Sequence, residues 1–216
     1  MRTKALILTA LLGVASLTAA LAQTAVYSVN AVGYVNVTVP PGFSMIANPL
    51  NAATNTVDAL FAGVTGGVPS GTTIYKFDPI AGYSGNAYRF GAWSSPNDLL
   101  LPGVGVFILN STATAFTVTF VGEVPQGNLT NAIPLGFSIR SSIVPQSGLL
   151  TTDLGFPVAN NMTIYRYNVP TKAAGYTGYS YRFGAWSEEP VPAVAEGFFV
   201  SAPAATSWVR VFNVNQ

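Results

Sequence analysis

Apolar and polar positions along this chain fall into short runs separated by turn residues. "YSVNAVGYVNVTV" (Tyr27–Val39), "TIYKF" (Thr73–Phe77), "GVFILN" (Gly105–Asn110) and "FTVTFVG" (Phe116–Gly122) are rich in β-branched and aromatic residues and bounded by Gly, Pro and Asn. That is the signature of short strands. Beyond the first 22 residues no segment keeps helical spacing over three turns. The best helical candidate is short, "TVDALFAG" (Thr56–Gly63), answered by "TTDLGFP" (Thr151–Pro157). Asp58 and Asp153 fall at matching places there, where an Asp opening a helical turn accepts a backbone N–H. The 15 prolines, many flanking the apolar runs, suit loop ends and edge strands. The pattern predicts an all-β fold.

The pattern also repeats, at an offset of 90 to 95 residues. "PPGFSMIANPL" (Pro40–Leu50) answers "PLGFSIRSSIV" (Pro134–Val144), and "TIYKF" answers "TIYRY" (Thr163–Tyr167). "GYSGNAYRFGAWS" from Gly82 answers "GYTGYSYRFGAWS" from Gly175, and "GVFIL" from Gly105 answers "GFFVS" from Gly197. "FTVTF" from Phe116 answers "WVRVF" from Trp208. The order is kept throughout, as in a tandem duplication, and the period is that of a small domain, longer than a solenoid repeat. We expect two homologous β-sandwich or barrel-like modules, residues 23–125 and 126–216, packed closely.

The motif order "GFSMIANPL", "DALF", "TIYKFD", "LLLPGVGVFI", "FTVTFVGEV" resembles a repeat of bacterial exported proteins. In its commoner form that repeat opens G-W-N-L-I-[SG]-N-P and later carries a P-G-x-G-[YF]-[WFV] strand. The second copy departs from it, lacking Asn-Pro in "GFSIRSSIV" and Pro-Gly in "AVAEGFFV". The resemblance implies an extracellular structural or surface-display module and transfers no catalytic residue.

Arg2 and Lys4 precede an uncharged, mostly apolar stretch, Ala5–Ala22, ending in Ala20-Leu21-Ala22. This reads as a cleaved signal peptide, residues 1–22, with Gln23 as the new N-terminus and no membrane span left after cleavage. The remaining 194 of the 216 residues hold seven basic and eight acidic side chains, so nothing draws a phosphate backbone and nucleic acid is not an expected partner. Cysteine is absent, which removes disulfides and thiolate chemistry and leaves burial alone to hold an exported chain together. Charged residues make up 8% of the chain, against roughly 25% in an ordinary soluble domain. So little like-charge repulsion favours association with a second copy of this chain; a polysaccharide is the other expected partner, on the aromatic residues described below.

Histidine is absent too, which excludes a His-based triad, proton shuttle or metal ligand. Ser44, Ser84 and Ser138 do not fit the G-x-S-x-G nucleophile elbow. Glu188 and Glu189 are adjacent, and neighbours on a strand point to opposite faces, which does not make a carboxylate pair. We expect no enzyme, no cofactor and no metal.

The stretch "YRFGAWS" occurs twice, at Tyr88–Ser94 and Tyr181–Ser187. As scaffold, Tyr88 and Phe90 share a strand face and fill the core, Gly91 lets the chain turn, and Arg89 closes the core or stacks on Trp93. As a ligand site, Tyr83, Tyr88, Arg89 and Trp93, with Tyr176, Tyr181, Arg182 and Trp186, offer aromatic platforms and polar groups for sugar rings. The shared Phe90, Gly91 and Ala92 favour scaffold. The expected role is a non-enzymatic structural or adhesive component outside the cell, self-assembling through unpaired end strands around Val26–Val39 and Trp208–Val214. The alternative is a carbohydrate-binding module. An outer-membrane barrel is disfavoured by the scarcity of long alternating strands and by the terminal Gln216.

Overall fold

In each half of the chain a two-stranded ribbon and the loops beside it cover one face of a five-stranded sheet. The computed structural model describes residues 31–168 and 175–214. The leader expected through Ala22 and the first part of the Val26–Val39 segment lie outside the described residues. The described residues belong to one compact unit beginning at Ala31. None of their helices is long and apolar enough to cross a membrane.

In the first half, β1 (Val32–Val39) pairs antiparallel along its whole length with β7 (Phe116–Glu123). Between them come β2 (Gly42–Ala47), α1 (Val57–Phe61), β3 (Thr73–Asp78), β4 (Gly82–Arg89), β5 (Ala92–Trp93) and β6 (Gly105–Asn110). These five strands form a sheet in the order β2-β6-β3-β4-β5. The second half contains β8 (Gly127–Ile133), β9 (Gly136–Arg140), β10 (Met162–Asn168), β11 (Gly175–Arg182), β12 (Ala185–Trp186), β13 (Phe198–Ala202) and β14 (Thr206–Phe212). Here β8 pairs with β14, and the sheet runs β9-β13-β10-β11-β12, the same order shifted by seven strands. All pairings are antiparallel and the sheets stay open, so a barrel-like closure does not occur.

The alternation of β1 and β7 puts Val39, Phe116, Val118 and Phe120 inward, against Val57, Leu60 and Phe61 of α1 and Ile46, Ile74, Trp93 and Ile108 of the sheet. The second half repeats this with Ile133, Leu150, Leu154, Phe156, Ile164, Phe198, Val200 and Trp208. Thr56 caps α1 by accepting from the Ala59 amide, while Asp58 sits in the first turn. Asp153 accepts from the Leu149 amide at 2.8 Å, in a turn that does not continue as a helix.

One expectation changes. The end segments are not unpaired strands: β1 and β14 each have a full antiparallel partner, so their open side is the outer edge of a ribbon. The Asn-Pro of the opening motif is structural. Buried Asn48 donates to Asn55 Oδ1 and the Leu100 carbonyl and accepts from the Leu50 amide, tying three loops together. Ser142, at the matching place in the second half, instead closes its own turn, with Oγ donating to the Val144 carbonyl and accepting from the Val144 amide.

The other face of each five-stranded sheet is aromatic. Direct cross-strand partners share a face, so Ser44, Ile108 and Ile74 point to the covered side while Met45, Phe107 and Tyr75 point away from it. Ser138, Val200 and Ile164 are divided from Ile139, Phe199 and Tyr165 in the same way. These second faces meet along a seam that is reciprocal. Ile46 bridges to Glu196 as Val104 bridges to Arg140. The Ala47 amide donates to the Ala195 carbonyl at 2.9 Å as the Ser141 amide donates to the Gly103 carbonyl at 3.0 Å. Gly105 and Gly197 face each other at its centre, where a Cβ on either would lie within 3.1–3.3 Å of the other's Cα. Such exchange of equivalent contacts is what a two-fold axis produces.

Candidate functional site

The twice-written "YRFGAWS" is a β-hairpin end. Tyr88 pairs with Trp93 and Arg89 with Ala92, leaving Phe90 and Gly91 as a two-residue turn. Tyr181, Trp186, Arg182 and Ala185 do the same around Phe183 and Gly184. Most letters have a structural use. Tyr and Trp form an edge-to-face pair in each copy, at 5.2 Å and 5.3 Å. Ser94 Oγ accepts from the Ala87 amide and Ser187 Oγ from the Ser180 amide, closing the strand pair behind the turn.

Arg and Phe are the letters this scaffold leaves over. Phe90 does not fill the core: it and Phe183 stand wholly in solvent, at 102% and 99% exposure. Arg89 and Arg182 are exposed beside them, and Trp93 stacks on Tyr88 and Phe61 rings, not on Arg89. The backbone makes the choice of Phe costlier still. Phe90 and Phe183 have φ of 54° and 55°, followed by Gly91 and Gly184 at 83° each. A turn with positive φ at both central positions favours Asn-Gly, and a side chain with a bulky Cβ substituent resists it by about 1–2 kcal/mol. Phe90→Asn and Phe183→Asn are therefore each expected to raise stability by about 1 kcal/mol. Urea unfolding measures this, and an unchanged or lowered midpoint would remove the case for strain at the tips.

The aromatic faces on either side of the seam line two adjoining cavities. One, of about 380 Å³, is bounded by Phe43, Tyr75, Tyr83, Phe107, Tyr167 and Tyr176. The other, of about 350 Å³, is bounded by Phe77, Phe137, Tyr165, Tyr176 and Phe199. Among the described residues neither lining includes a charged one. Phe107 and Phe199 form the floor, 6.1 Å apart between ring centroids. Around them Phe77 packs on Phe199 at 5.2 Å and Tyr167 on Phe107 at 5.3 Å, again a reciprocal exchange across the seam. At its edge Arg166 holds Glu196 through two hydrogen bonds, 2.6 Å and 2.8 Å, and Glu196 also accepts from the Ala193 amide. That partly buried pair pins the loop before β13 to β10.

Tyr83 and Tyr176 hydrogen-bond to each other through their phenols across the groove. Burial pushes both hydroxyls up, the mutual hydrogen bond holding back the rise at Tyr83. At Tyr176 burial, the neighbouring Tyr83 and Tyr167, and that hydrogen bond together carry the pKa to about 12. The unfolded chain releases this proton nearer pH ~10. The contribution of the neutral phenol is thus complete below about pH 10 and is lost as pH rises from there toward the folded value. Unfolding midpoints taken across that alkaline range should fall, and Tyr176→Phe should fall less steeply; identical slopes would contradict the coupling.

The carboxylates of Glu189 and Asp78 serve turns. Slight burial works against the charge of Glu189, but hydrogen bonds from Thr152 and Thr151 outweigh it and hold the carboxyl below its usual range. Asp78 is lowered by the Ala81 and Ile80 amides it caps. Among the described residues no three acidic side chains gather into a metal site.

Of the residues singled out in the sequence, Tyr83 and Tyr176 enter the groove, half-exposed. Tyr88 and Tyr181 are partly buried behind the hairpins, Trp93 is in the core at 4% exposure, and Trp186 is partly buried with Nε1 donating to Thr151 Oγ1 at 2.9 Å. The rest of the groove, Phe43, Phe107, Phe137 and Phe199 above all, lay in matched repeat segments whose aromatic positions were the available signal. No protein-family model, characterised protein or solved structure matches this chain.

Proposed function

We propose that this chain is a non-enzymatic, exported structural or adhesive protein that associates with further copies of itself outside the cell. In this account it comprises two tandem homologous β-sandwich-like modules, residues 23–125 and 126–216, behind a leader ending at Ala22. The repeated strand order and reciprocal seam support the duplication. The observation that carries the function is the pair of fully exposed phenylalanines, each held in a backbone conformation that disfavours it. Strain and exposed apolar surface kept together at one place are the marks of a contact site. The scarcity of charge lowers the repulsion between copies. Mass in solution over a concentration series tests the proposal: growth beyond the monomer supports it, and a constant monomer mass removes it.

A second reading has its own observation. The groove is uncharged, aromatic and rimmed by phenols, which suits the C–H faces and hydroxyls of a neutral glycan. It predicts retention on an insoluble neutral polysaccharide such as cellulose, lost in Tyr83→Ala with Tyr176→Ala. Trp93 and Trp186 take no part in that test.

A further inference from the structure

We infer that the Phe90 and Phe183 hairpin tips of one copy dock into the aromatic cavities of another. The inference rests on the self-association proposed above and names the two surfaces that meet. Among the described residues each copy carries these two projecting rings, one in each half, and the two aromatic cavities, each lined from both halves across the seam. The volumes are permissive: about 380 and 350 Å³, where a cavity of about 150 Å³ already takes benzene.

The chemistry matches as well. A neutral ring meets an uncharged aromatic lining, and edge-to-face packing is the arrangement the cavity rings already use among themselves. Arg89 and Arg182, flanking the tips, arrive at rims formed by Tyr75, Tyr83, Tyr167 and Tyr176, whose electron-rich faces attract a guanidinium. A chain does not fill its own cavities with its own tips, because both phenylalanines stand fully in solvent. The tips are thus free to enter the cavities of a second copy, the occupant assigned here.

Where the tips and cavities of one copy engage different neighbours, the contact is heterologous and propagates into chains of copies; a mutual exchange between two copies closes as a dimer. One buried phenylalanine covers roughly 150–250 Å², well under the ~800 Å² per partner of a standard stable interface. Single contacts are accordingly weak, and assembly is steeply dependent on concentration and on having both tips.

The test is sedimentation velocity of the purified protein over a wide concentration range, for wild type, Phe90→Asn with Phe183→Asn, and Tyr176→Glu. Asn-Gly suits the turn, so the tip variant keeps the fold; Tyr176 is half-exposed and lines both cavities, and Phe43→Glu replaces it if it unfolds. Wild type should grow in mass, while the tip variant associates roughly ten- to a hundredfold more weakly, the scale of withholding a buried aromatic side chain. Tyr176→Glu should be similarly impaired. Mixing the two variants should restore small complexes, since one still offers cavities and the other still offers tips. If the tip variant assembles like wild type, self-association stands but this docking does not. A wild type that stays monomeric removes both, and one that is also retained on cellulose gives the groove to a glycan.

Discussion

Trp93→Ala should destabilise the fold by roughly 3–5 kcal/mol, the range for removing a buried large aromatic side chain. The indole is 4% exposed and sits edge-to-face between Phe61 at 5.3 Å and Tyr88 at 5.2 Å. Phe61 in turn packs on Phe120 at 6.3 Å, so the cavity left behind would open between α1, β5 and the covering ribbon. Trp186→Ala should cost less. Its indole is only partly buried, and part of its anchorage is a hydrogen bond to Thr151 that water can replace. Urea unfolding of the two variants separates these roles. Equal, small losses would mean that Trp93 is not the core residue its surroundings make it, and would return it to consideration as a ligand platform.

Gly105→Ala is expected to cost at or above the upper end of the roughly 1–3 kcal/mol of an overpacked site. A Cβ there would lie 2.5 Å from Ile139 Cγ2, 3.1 Å from the Arg140 carbonyl oxygen and 3.1 Å from Gly197 Cα. Two of these neighbours are backbone and do not rotate away, so the seam itself must part. Because that seam supports Phe107 and Phe199, the floor of both cavities should shift together. Gly63→Ala is the control: no atom lies within 4 Å of its added Cβ and its φ is not positive. That change should stay within about 0.5 kcal/mol of wild type. A Gly105→Ala protein as stable as the Gly63→Ala one would contradict the close approach.

The strands were legible because their chemistry is local. β1 and β7 alternate cleanly, and "TIYKF" and "TIYRY" are β-rich runs in both copies. What lay beyond reach was set by distance along the chain or by loss of period. Nothing near Val32 announces its pairing with Glu123, so the end segments read as unpaired. In "GVFIL" the neighbours Phe107 and Ile108 are both buried, one on the aromatic face and one on the covered face, and a run apolar on both sides does not say which is which. Phe90 shares a face with Tyr88 only if the strand continues. The turn at Phe90-Gly91 breaks that rule and turns an expected core residue outward. Tyr83 and Tyr176 were recognisable as aromatic and repeated, but their meeting depends on two sheets joined at a pair of glycines 92 residues apart in the chain.

Side-by-side mass determination of wild type and the Phe90→Asn, Phe183→Asn variant over one concentration series tests the central claim most directly. The account predicts opposite responses within one protein: the variant unfolds at higher urea, yet remains a monomer where wild type has grown into larger species. Wild type that holds a single monomeric mass throughout, or a variant that grows in step with it, would contradict the claim that these two exposed rings are what the protein presents to its partner.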